Sequence, residues 1–446
     1  MIARTHGEAI RLSSGPIVLI ERDSRLPIVD LIIDLHTGHL DDPIGAEGGA
    51  RLLARLLRAG PKGVSETAFG DQLEALGARL SVNVGRRVTR LYFSVLSRNA
   101  PQLIRLVGRL LRDPGLRAAD FSRQQRNLIA GAEALIDNDH ALATRAFYGL
   151  YYRDHPLGRP RGGSPETLAS VDLSSIRERH RAIYGASTIT LGIAGDLPDD
   201  RLLVELDRAF ADLPANAPIV RSIRERRSRR GDHLAIVHRA DRKKVHTILG
   251  SRGLRIDDDP SLAIQLANHA FGGMFSSKLM QEVRAKRGYA YGVSSIVGQD
   301  LVREAMMLTT SPGEDVAAPC AALLGKLQAQ FATKGISGRA LNSAKRSLLR
   351  GHAFDIETAD RRLIPRLDVE SLSLPAELHD HYLEILRGAK LKAVNEAVNA
   401  KLSGGDRLFV VLGNADAIRG PLEKALSPKS ITVLNHDSIE AELSRV

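Results

Sequence analysis

The feature of this chain that most restricts its possible folds is a pattern of strand-like segments that occurs twice. Three segments of the first half correspond, in pattern more than in identity, to three of the second: 16–23 to 233–240, 31–38 to 246–253, and 188–196 to 408–416. The offsets all fall at about 215–220 residues, which indicates one structural unit present in two copies.

Each half begins with two strands of β-branched and aliphatic residues and then passes into helices. In the first half, Leu52, Leu53, Leu56 and Leu57 form an apolar stripe at helical spacing. Strands are predicted at 79–84, 89–96 and 189–194, and helices at 101–150 and 201–210. Strands at the start, middle and end of a unit, with helices between them, predict an α+β fold with helices packed on a largely antiparallel sheet.

The two copies predict a division into domains. We expect an N-terminal half at 1–215, a basic linker at 216–232 and a C-terminal half at 233–446, with the two homologous halves enclosing a cleft. The densest basic run, RSIRERRSRR at 221–230, falls in this linker. Because it has no interleaved aromatic residues for base stacking, we predict no nucleic-acid partner despite a net charge of +11.

Composition limits the other possible classes. No stretch approaches the roughly twenty apolar residues that span a bilayer, so no membrane span is expected. The first dozen residues have no room for a signal peptide, which favours a cytoplasmic protein, although a mature periplasmic form is the alternative. Cys320 is the only cysteine, which excludes an internal disulfide and a multi-cysteine metal site. It lies in an apolar run and is predicted to be buried.

The segment QEVRAKRGYAYGVS at 281–294 is the strongest candidate for a functional site. Gly288 suits the left-handed position that ends a helix. After it, Tyr289, Tyr291 and Val293 alternate with small residues at the spacing of a strand. Such a turn would direct the guanidinium of Arg284 and the phenol of Tyr291 toward one point, where both donate to a carbonyl or a developing oxyanion.

This segment resembles the C-terminal half of pitrilysin-like metallopeptidases, the relatives of insulysin and of the mitochondrial processing peptidase. FGGMFSSKLMQEVR at 271–284 is similar to the family's stretch leading to its arginine, and HPLGRPRGGSPETLASV at 155–171 is similar to its first-half His-Pro-x-Gly segment. By this resemblance, Gly272 and Gly273 form a structural turn. The twofold repeat also agrees with the family.

Active members of the family bind zinc through H-x-x-E-H on a first-half helix, because histidines at i and i+4 share one helix face. By the resemblance, the matching helix is GGARLLARLLRAG at 48–60, with Arg51, Ala54 and Arg55 at the motif positions. The position of the third ligand falls near Ala132, with Glu133 beside it. Guanidinium groups are not deprotonated in proteins and do not bind zinc. No metal is therefore expected in this chain.

Other histidine pairs have weak metal-site geometry. His36 and His39 are three apart at a strand end, and His379 and His381 are two apart without a third ligand. Two interpretations of Arg51 and Arg55 stay open. Either they form the solvated face of a helix, or they bind a carboxylate in place of the metal.

The resemblance implies a subunit of a heterodimeric zinc metalloendopeptidase that is inactive alone. The zinc would lie in a pitrilysin-like partner subunit. Arg284 and Tyr291 would be catalytic and would bind the peptide substrate. The alternative is a catalytically inert structural or binding subunit of the same fold in a larger assembly.

Overall fold

The structure of the chain is a computed structural model that describes residues 8–219, 221, 223–298 and 300–445. The start of the first predicted domain at 1–7, linker residues 220 and 222, and the final residue 446 lie outside the described residues. The prediction about a signal peptide rests in part on residues 1–7 and therefore stays a prediction.

The described strands form two sheets. Their bounds are β1 (Glu8–Arg11), β2 (Ile17–Arg22), β3 (Ile28–Leu35), β4 (Arg79–Val84), β5 (Thr89–Leu96), β6 (Ile189–Gly195), β7 (Gly231–His238), β8 (His246–Ser251), β9 (Val293–Ile296), β10 (Met306–Thr310), β11 (Asp406–Gly413) and β12 (Ser430–Asn435). The sheet orders are β1-β2-β6-β3-β5-β4 and β12-β7-β11-β8-β10-β9.

The two sheets repeat one topology, which confirms the predicted repeat. The three predicted correspondences fall on β2 and β7, β3 and β8, and β6 and β11, which occupy equivalent places in the two orders. In each sheet, the strand of the first repeated segment is parallel to the strand of the last one, so β2 pairs with β6 and β7 pairs with β11. The next three strand pairs along each sheet are antiparallel. The outermost strands differ, because β1 is antiparallel to β2 and β12 is parallel to β7. The sheets are thus mixed and mainly antiparallel, and the predicted α+β class is confirmed.

Helices cover these sheets. Their bounds are α1 (Gly49–Leu57), α2 (Glu66–Ala75), α3 (Ala100–Arg112), α4 (Ala118–Glu133), α5 (Asp139–Tyr152), α6 (Pro165–Ser170), α7 (Leu173–Ile183), α8 (Arg201–Ala209), α9 (Ser261–Asn268), α10 (Ala317–Lys334), α11 (Gly338–Asp355), α12 (Ala359–Leu372), α13 (Glu377–Asp380), α14 (Tyr382–Gly388), α15 (Leu391–Leu402), α16 (Ala415–Leu426) and α17 (Ile439–Leu443). Within the described ranges, no helix has both the length and the apolar character needed to cross a membrane.

The prediction of one helical stretch over 101–150 was wrong in its continuity. The stretch contains α3, α4 and most of α5, with breaks at 113–117 and 134–138. Pro114 and Gly115 lie in the first break, where proline lacks a backbone donor and glycine favours non-helical conformations. At the second break, the side chain of Asn138 accepts from the Ala141 amide 3.0 Å away and begins α5 as its N-cap.

Two compact units are built from non-contiguous segments. Unit one comprises Met1–Glu133, Pro160–Arg221 and His352–His379, and unit two comprises Ala134–Arg159, Ser222–Gly351 and Asp380–Val446. The predicted halves follow the repeat along the sequence, whereas these units group the segments that contact one another in space. The boundaries at 215 and 233 therefore stay a prediction about the repeat.

In each unit, a helix from the opposite half of the chain packs on the sheet. In unit one, α12 lies on β2 and β6, and its Leu363 and Leu367 pack with Leu19, Ile32 and Ala194. In unit two, α5 lies on β8 and β11 and presents Phe147 to the sheet. Each unit also has a larger main core of buried apolar side chains.

Two linker arginines form ion pairs with carboxylates of the fold, of which Asp41 is partly buried and Asp406 is buried. Arg221 donates to both carboxylate oxygens of Asp41 in unit one, at 2.6 and 2.7 Å. Arg226 pairs with Asp406 in unit two and lies over the ring of Tyr151, with its guanidinium carbon 3.7 Å from the ring centre. These two charges of the basic run are therefore neutralised within the fold, which weakens the case for a nucleic-acid surface.

Candidate functional site

The segment that carries Arg284 is a pair of π-helical turns joined to a helix. The helix α9 continues into a π-helical turn at His269–Gly273, and a second follows at Met280–Ala285. Gly288 adopts a φ of +65°, and its amide donates to the carbonyl of Arg284 at 2.9 Å. The predicted left-handed glycine that ends this helical segment is confirmed.

Gly272 lies where a side chain would not fit. A Cβ atom at this position would stand 2.2 Å from Oγ of Ser295. The side chain of Ser295 in turn donates to Oδ1 of Asn268 at 2.6 Å. The glycine thus permits close packing of the π-helical turn on β9, in agreement with a structural role.

Tyr289 and Tyr291 do not lie on a strand, so that prediction was wrong. The strand β9 begins at Val293, which pairs with Thr310, the last residue of β10. Within the described ranges, the residues before Val293 pair with no strand, because β10 ends at Thr310 and Pro312 follows. The alternation of aromatic and small residues at 289–292 is typical of a strand, but β10 is too short to pair with these residues.

Arg284 and Tyr291 are both exposed donors. The side chain of Tyr291 is 88% exposed, and Arg284 is also on the surface. The guanidinium carbon of Arg284 lies 5.0 Å from the ring centre of Phe275, itself 77% exposed. In the part of the chain that the structure describes, neither Arg284 nor Tyr291 has a hydrogen bond or ion pair through its side chain. Their donor groups are therefore accessible to a ligand.

A carboxylate that sequence reasoning missed stabilises this segment. Glu282 is buried and accepts from Lys286 Nζ at 2.7 Å, Lys278 Nζ at 2.9 Å and Arg287 Nη1 at 2.8 Å. The hydrogen bond from Lys286, followed by those from Lys278 and Arg287, lowers the pKa of Glu282 to about 2. The signal in the sequence was a lone acid with basic residues four before, four after and five after it.

The helix that corresponds to the zinc helix is present, and its N-terminus is capped by Asp42. The Asp42 carboxylate accepts from the amides of Gly48 at 2.8 Å and Ala50 at 2.9 Å. The predicted leucine stripe of α1 is fully buried. Packing of this stripe leaves Arg51 exposed, Arg55 half-buried and Ala54 buried.

The residues at the motif positions do not fit a zinc ion. Arg55 Nη1 lies 3.4 Å from Oε1 of Gln124 on α4. Although Arg51 is exposed, partial loss of water around its guanidinium, and then the charge of Arg55, lower its pKa. A guanidinium still has no lone pair to offer a metal. Ala132 is half-buried near the end of α4, and Glu133 beside it is exposed. Among the described residues, no group of three or more His, Cys, Asp or Glu side chains is placed to hold a metal ion.

The other candidates have structural surroundings. Nε2 of His36 lies 2.9 Å from Oγ1 of Thr190, and Nδ1 of His381 lies 3.0 Å from Glu384 Oε2. His39 belongs to a 3₁₀ turn at the edge of a cleft beside α1, and His379 lies in α13. Cys320 is buried, as predicted, and burial raises the pKa of its thiol to about 12. A thiol of that kind is a poor nucleophile at neutral pH.

Family models match most of the chain. The insulinase family, peptidase family M16, matches residues 17–164, and the peptidase M16 inactive domain matches residues 170–348. A zinc protease of Streptomyces coelicolor is 27% identical over 270 residues, which span 58% of each protein. The non-peptidase homolog YmxG of Helicobacter pylori is 22% identical over 413 residues, which cover 92% of this chain and 94% of that protein.

Solved structures share the fold. The peptidase M16 inactive domain of Pseudomonas fluorescens superposes with a TM-score of 0.84 at 22% identity, covering 92% of this chain and 98% of that one. A protease of Helicobacter pylori gives a TM-score of 0.79 at 15% identity, covering 90% and 98%. The chain therefore belongs to the insulinase family of peptidases, peptidase family M16, and resembles its inactive members.

Proposed function

We propose that this chain is the non-metal subunit of a heterodimeric zinc metalloendopeptidase, in which Arg284 and Tyr291 bind the peptide substrate. The observation that carries the proposal is that both side chains are exposed and keep their donors free of partners among the described residues. An arginine used only for structure would normally be paired, as Arg221 and Arg226 are.

The chemistry of the pair suits amide hydrolysis. A guanidinium and a phenol both donate to an oxygen that gains negative charge as the carbonyl carbon becomes tetrahedral. Arg284 supplies the charge, and Tyr291 supplies a neutral donor. The zinc of a partner subunit would polarise the carbonyl and activate water. This chain's own contribution is to hold the carbonyl oxygen and stabilise the oxyanion.

The surroundings of Arg284 support a positioning role for Glu282. The three cations on this carboxylate come from both sides of Arg284 in the chain. Their pairing fixes the backbone of the π-helical turn while Arg284 itself remains unpaired in the described structure. The three cations that bind Glu282 thus stabilise the turn, whereas Arg284 faces solvent.

The test combines the purified chain with a zinc-bearing M16 chain of the same organism and a mixture of quenched fluorescent peptides. We expect hydrolysis by the mixture and none by this chain alone, which should also lack stoichiometric zinc by elemental analysis. Arg284→Ala and Tyr291→Phe should each lower kcat by about a hundredfold. Arg350→Ala, which removes an exposed arginine of α11 in the same unit, is the matched control and should leave kcat unchanged.

Size-exclusion chromatography should show that all variants still assemble with the partner. Unchanged kcat in both Arg284 and Tyr291 variants would overturn the catalytic role. A complex that forms but gains no activity from this chain would instead favour an inert structural or binding subunit. The similarity of this chain to the non-peptidase homolog YmxG agrees with that alternative.

A further inference from the structure

A cleft in unit one is lined by a cluster of arginines. It has a volume of about 610 Å³ and lies between α1, the end of β4 with the turn that follows, and the 161–162 segment. Its described lining contains His39, no carboxylate, and five arginines: Arg51, Arg55, Arg58, Arg86 and Arg161. Arg51 and Arg55 belong to α1 and occupy motif positions, and Arg58 follows directly after the end of this helix.

In the part of the chain that the structure describes, no carboxylate balances the positive charge of Arg51, Arg55 and Arg58. In the described structure, Arg51 and Arg58 have no hydrogen bond or ion pair through their side chains, and the contact of Arg55 is to the neutral Gln124. Arg22 and Arg25, also in unit one, each have a carboxylate partner. Like charges at this spacing repel one another, and a bound anion would remove that cost.

A glycine provides the space for one of these guanidinium groups. A Cβ atom at Gly162 would stand 2.7 Å from Nη1 of Arg51. The flexible end of Arg51 would have to move if residue 162 had a side chain, whereas the backbone would not. Gly162 therefore offers a way to displace Arg51 without removing its charge.

The strand beside the cleft suggests what kind of anion would enter. β4 is the edge strand of its sheet, and Val82, Asn83 and Val84 line the cleft. Within the described ranges, β4 pairs with β5 on one side and with no strand on the other. An open strand edge can take an extended peptide through main-chain hydrogen bonds, while neighbouring groups select its side chains.

We propose that this cleft binds an extended acidic peptide segment, with its carboxylates held by Arg51, Arg55 and Arg58. The guanidinium group matches a carboxylate through two parallel hydrogen bonds, which makes arginine suited to this recognition. The site lies in unit one, apart in the chain from Arg284 and Tyr291. The inference goes beyond the proposed peptidase role, because binding to the chain alone is enough to establish it.

The test measures fluorescence anisotropy with the purified full chain at an ionic strength of about 0.15 M, where weak surface attraction is screened. The probes are a short labelled peptide with alternating Glu and Val, and the matched peptide with Gln in place of Glu. The Glu peptide should bind at least about tenfold more tightly than the Gln peptide, as expected for charge-assisted hydrogen bonds.

Variants of the cleft locate the binding. Arg51→Gln/Arg55→Gln should weaken the Glu peptide by about tenfold or more, and Gly162→Ala should weaken it while keeping every charge. The matched control is Arg98→Gln/Arg181→Gln, which removes two exposed arginines of unit one that do not line the cleft. Thermal unfolding should show that all variants remain folded.

Three results would overturn the proposal. They are equal binding of the Glu and Gln peptides, equal weakening by the cleft and control variants, and tighter cleft-dependent binding of inorganic phosphate or a short oligonucleotide than of the Glu peptide. None of these results concerns hydrolysis with a zinc-bearing partner, so the proposed function stands or fails separately.

Discussion

Phe147 of α5 lies directly against the backbone of Gly250 on β8, so that a Cβ atom at residue 250 would stand 2.0 Å from Cε2 of its ring. Unit one has the corresponding feature, since a Cβ atom at Gly192 of β6 would stand 2.6 Å from Cδ1 of Leu367 on α12. Each sheet therefore has a glycine where a helix from the opposite half of the chain packs. These close contacts tie the segments of each unit together.

Gly250→Val should destabilise the protein by about 1–3 kcal/mol or more, because the added methyl groups have no space between β8 and Phe147. The measurement is the midpoint of urea unfolding. Gly351→Ala is the control, because a Cβ atom there has nothing within 4 Å in a helix, and it should leave the midpoint unchanged or raise it slightly. An unchanged midpoint for Gly250→Val would mean that α5 does not pack on this sheet as described.

Arg226→Met should cost about 3–5 kcal/mol, because it leaves the Asp406 carboxylate buried without its cation. Burial, the largest single cause, raises the pKa of Asp406, but the hydrogen bonds and charge of Arg226 and the hydrogen bond from Ser228 together keep the pKa below its usual value of 3.8. The wild-type pair therefore stabilises the fold above pH 3.8 and loses this contribution as the pH falls below it. The stability gap between wild type and variant should thus narrow in acid.

Arg227→Met is the matched control for Arg226, since Arg227 is its exposed neighbour in the linker. It should change the unfolding free energy by less than about 0.5 kcal/mol. Adding Asp406→Asn to Arg226→Met should recover part of the loss by removing the uncompensated charge. If both arginine variants were equally stable, the ion pair would have no role in the fold.

Glu282→Gln should destabilise the segment around Arg284 by about 1–2 kcal/mol, since three charged donors lose a charged acceptor. The pKa of Glu282 is lowered from 4.5 to about 2. Its contribution is therefore complete above pH 4.5 and disappears as the pH falls toward 2. Urea unfolding at several pH values should show the largest difference from wild type above pH 4.5 and convergence in acid.

The control for Glu282 is Glu423→Gln, which changes an exposed acid on α16 of the same unit. It should leave stability nearly unchanged at every pH. A constant difference between wild type and Glu282→Gln across this range would contradict an ionised Glu282 as the stabilising group.

Features with a local cause could be predicted from the sequence. β4 and β5 begin and end at the predicted residues 79–84 and 89–96, because alternation and β-branched residues determine them locally. The position of Gly288 follows from backbone sterics, and the stripe of α1 follows from helical periodicity. The sequence repeat indicated that the two sheets share one strand order, because strands in equivalent places have similar patterns of apolar residues.

Features that depend on distant partners could not be predicted. Nothing near Gly250 or Gly192 in the chain indicates which helix will pack on it. Tyr291 was placed on a strand because the end of β10 at Thr310 lies outside its local sequence. The arginine cleft combines α1, the end of β4, His39 and the 161–162 segment, and no local pattern in these segments indicates that they meet. In each case tertiary contact, and not local pattern, decides the outcome.

A double-mutant comparison tests whether Arg284 and Tyr291 act on one oxygen. In the complex with a zinc-bearing partner, Arg284→Ala/Tyr291→Phe should lower kcat by less than the product of the two single losses. Once one donor is gone, the oxyanion is less well held and the second donor has less transition-state charge to stabilise, so residues that act as a unit are not additive. Losses that multiply would assign the two residues to independent tasks. The comparison pair Arg284→Ala/Arg350→Ala should multiply, since α11 carries Arg350 as an ordinary exposed side chain.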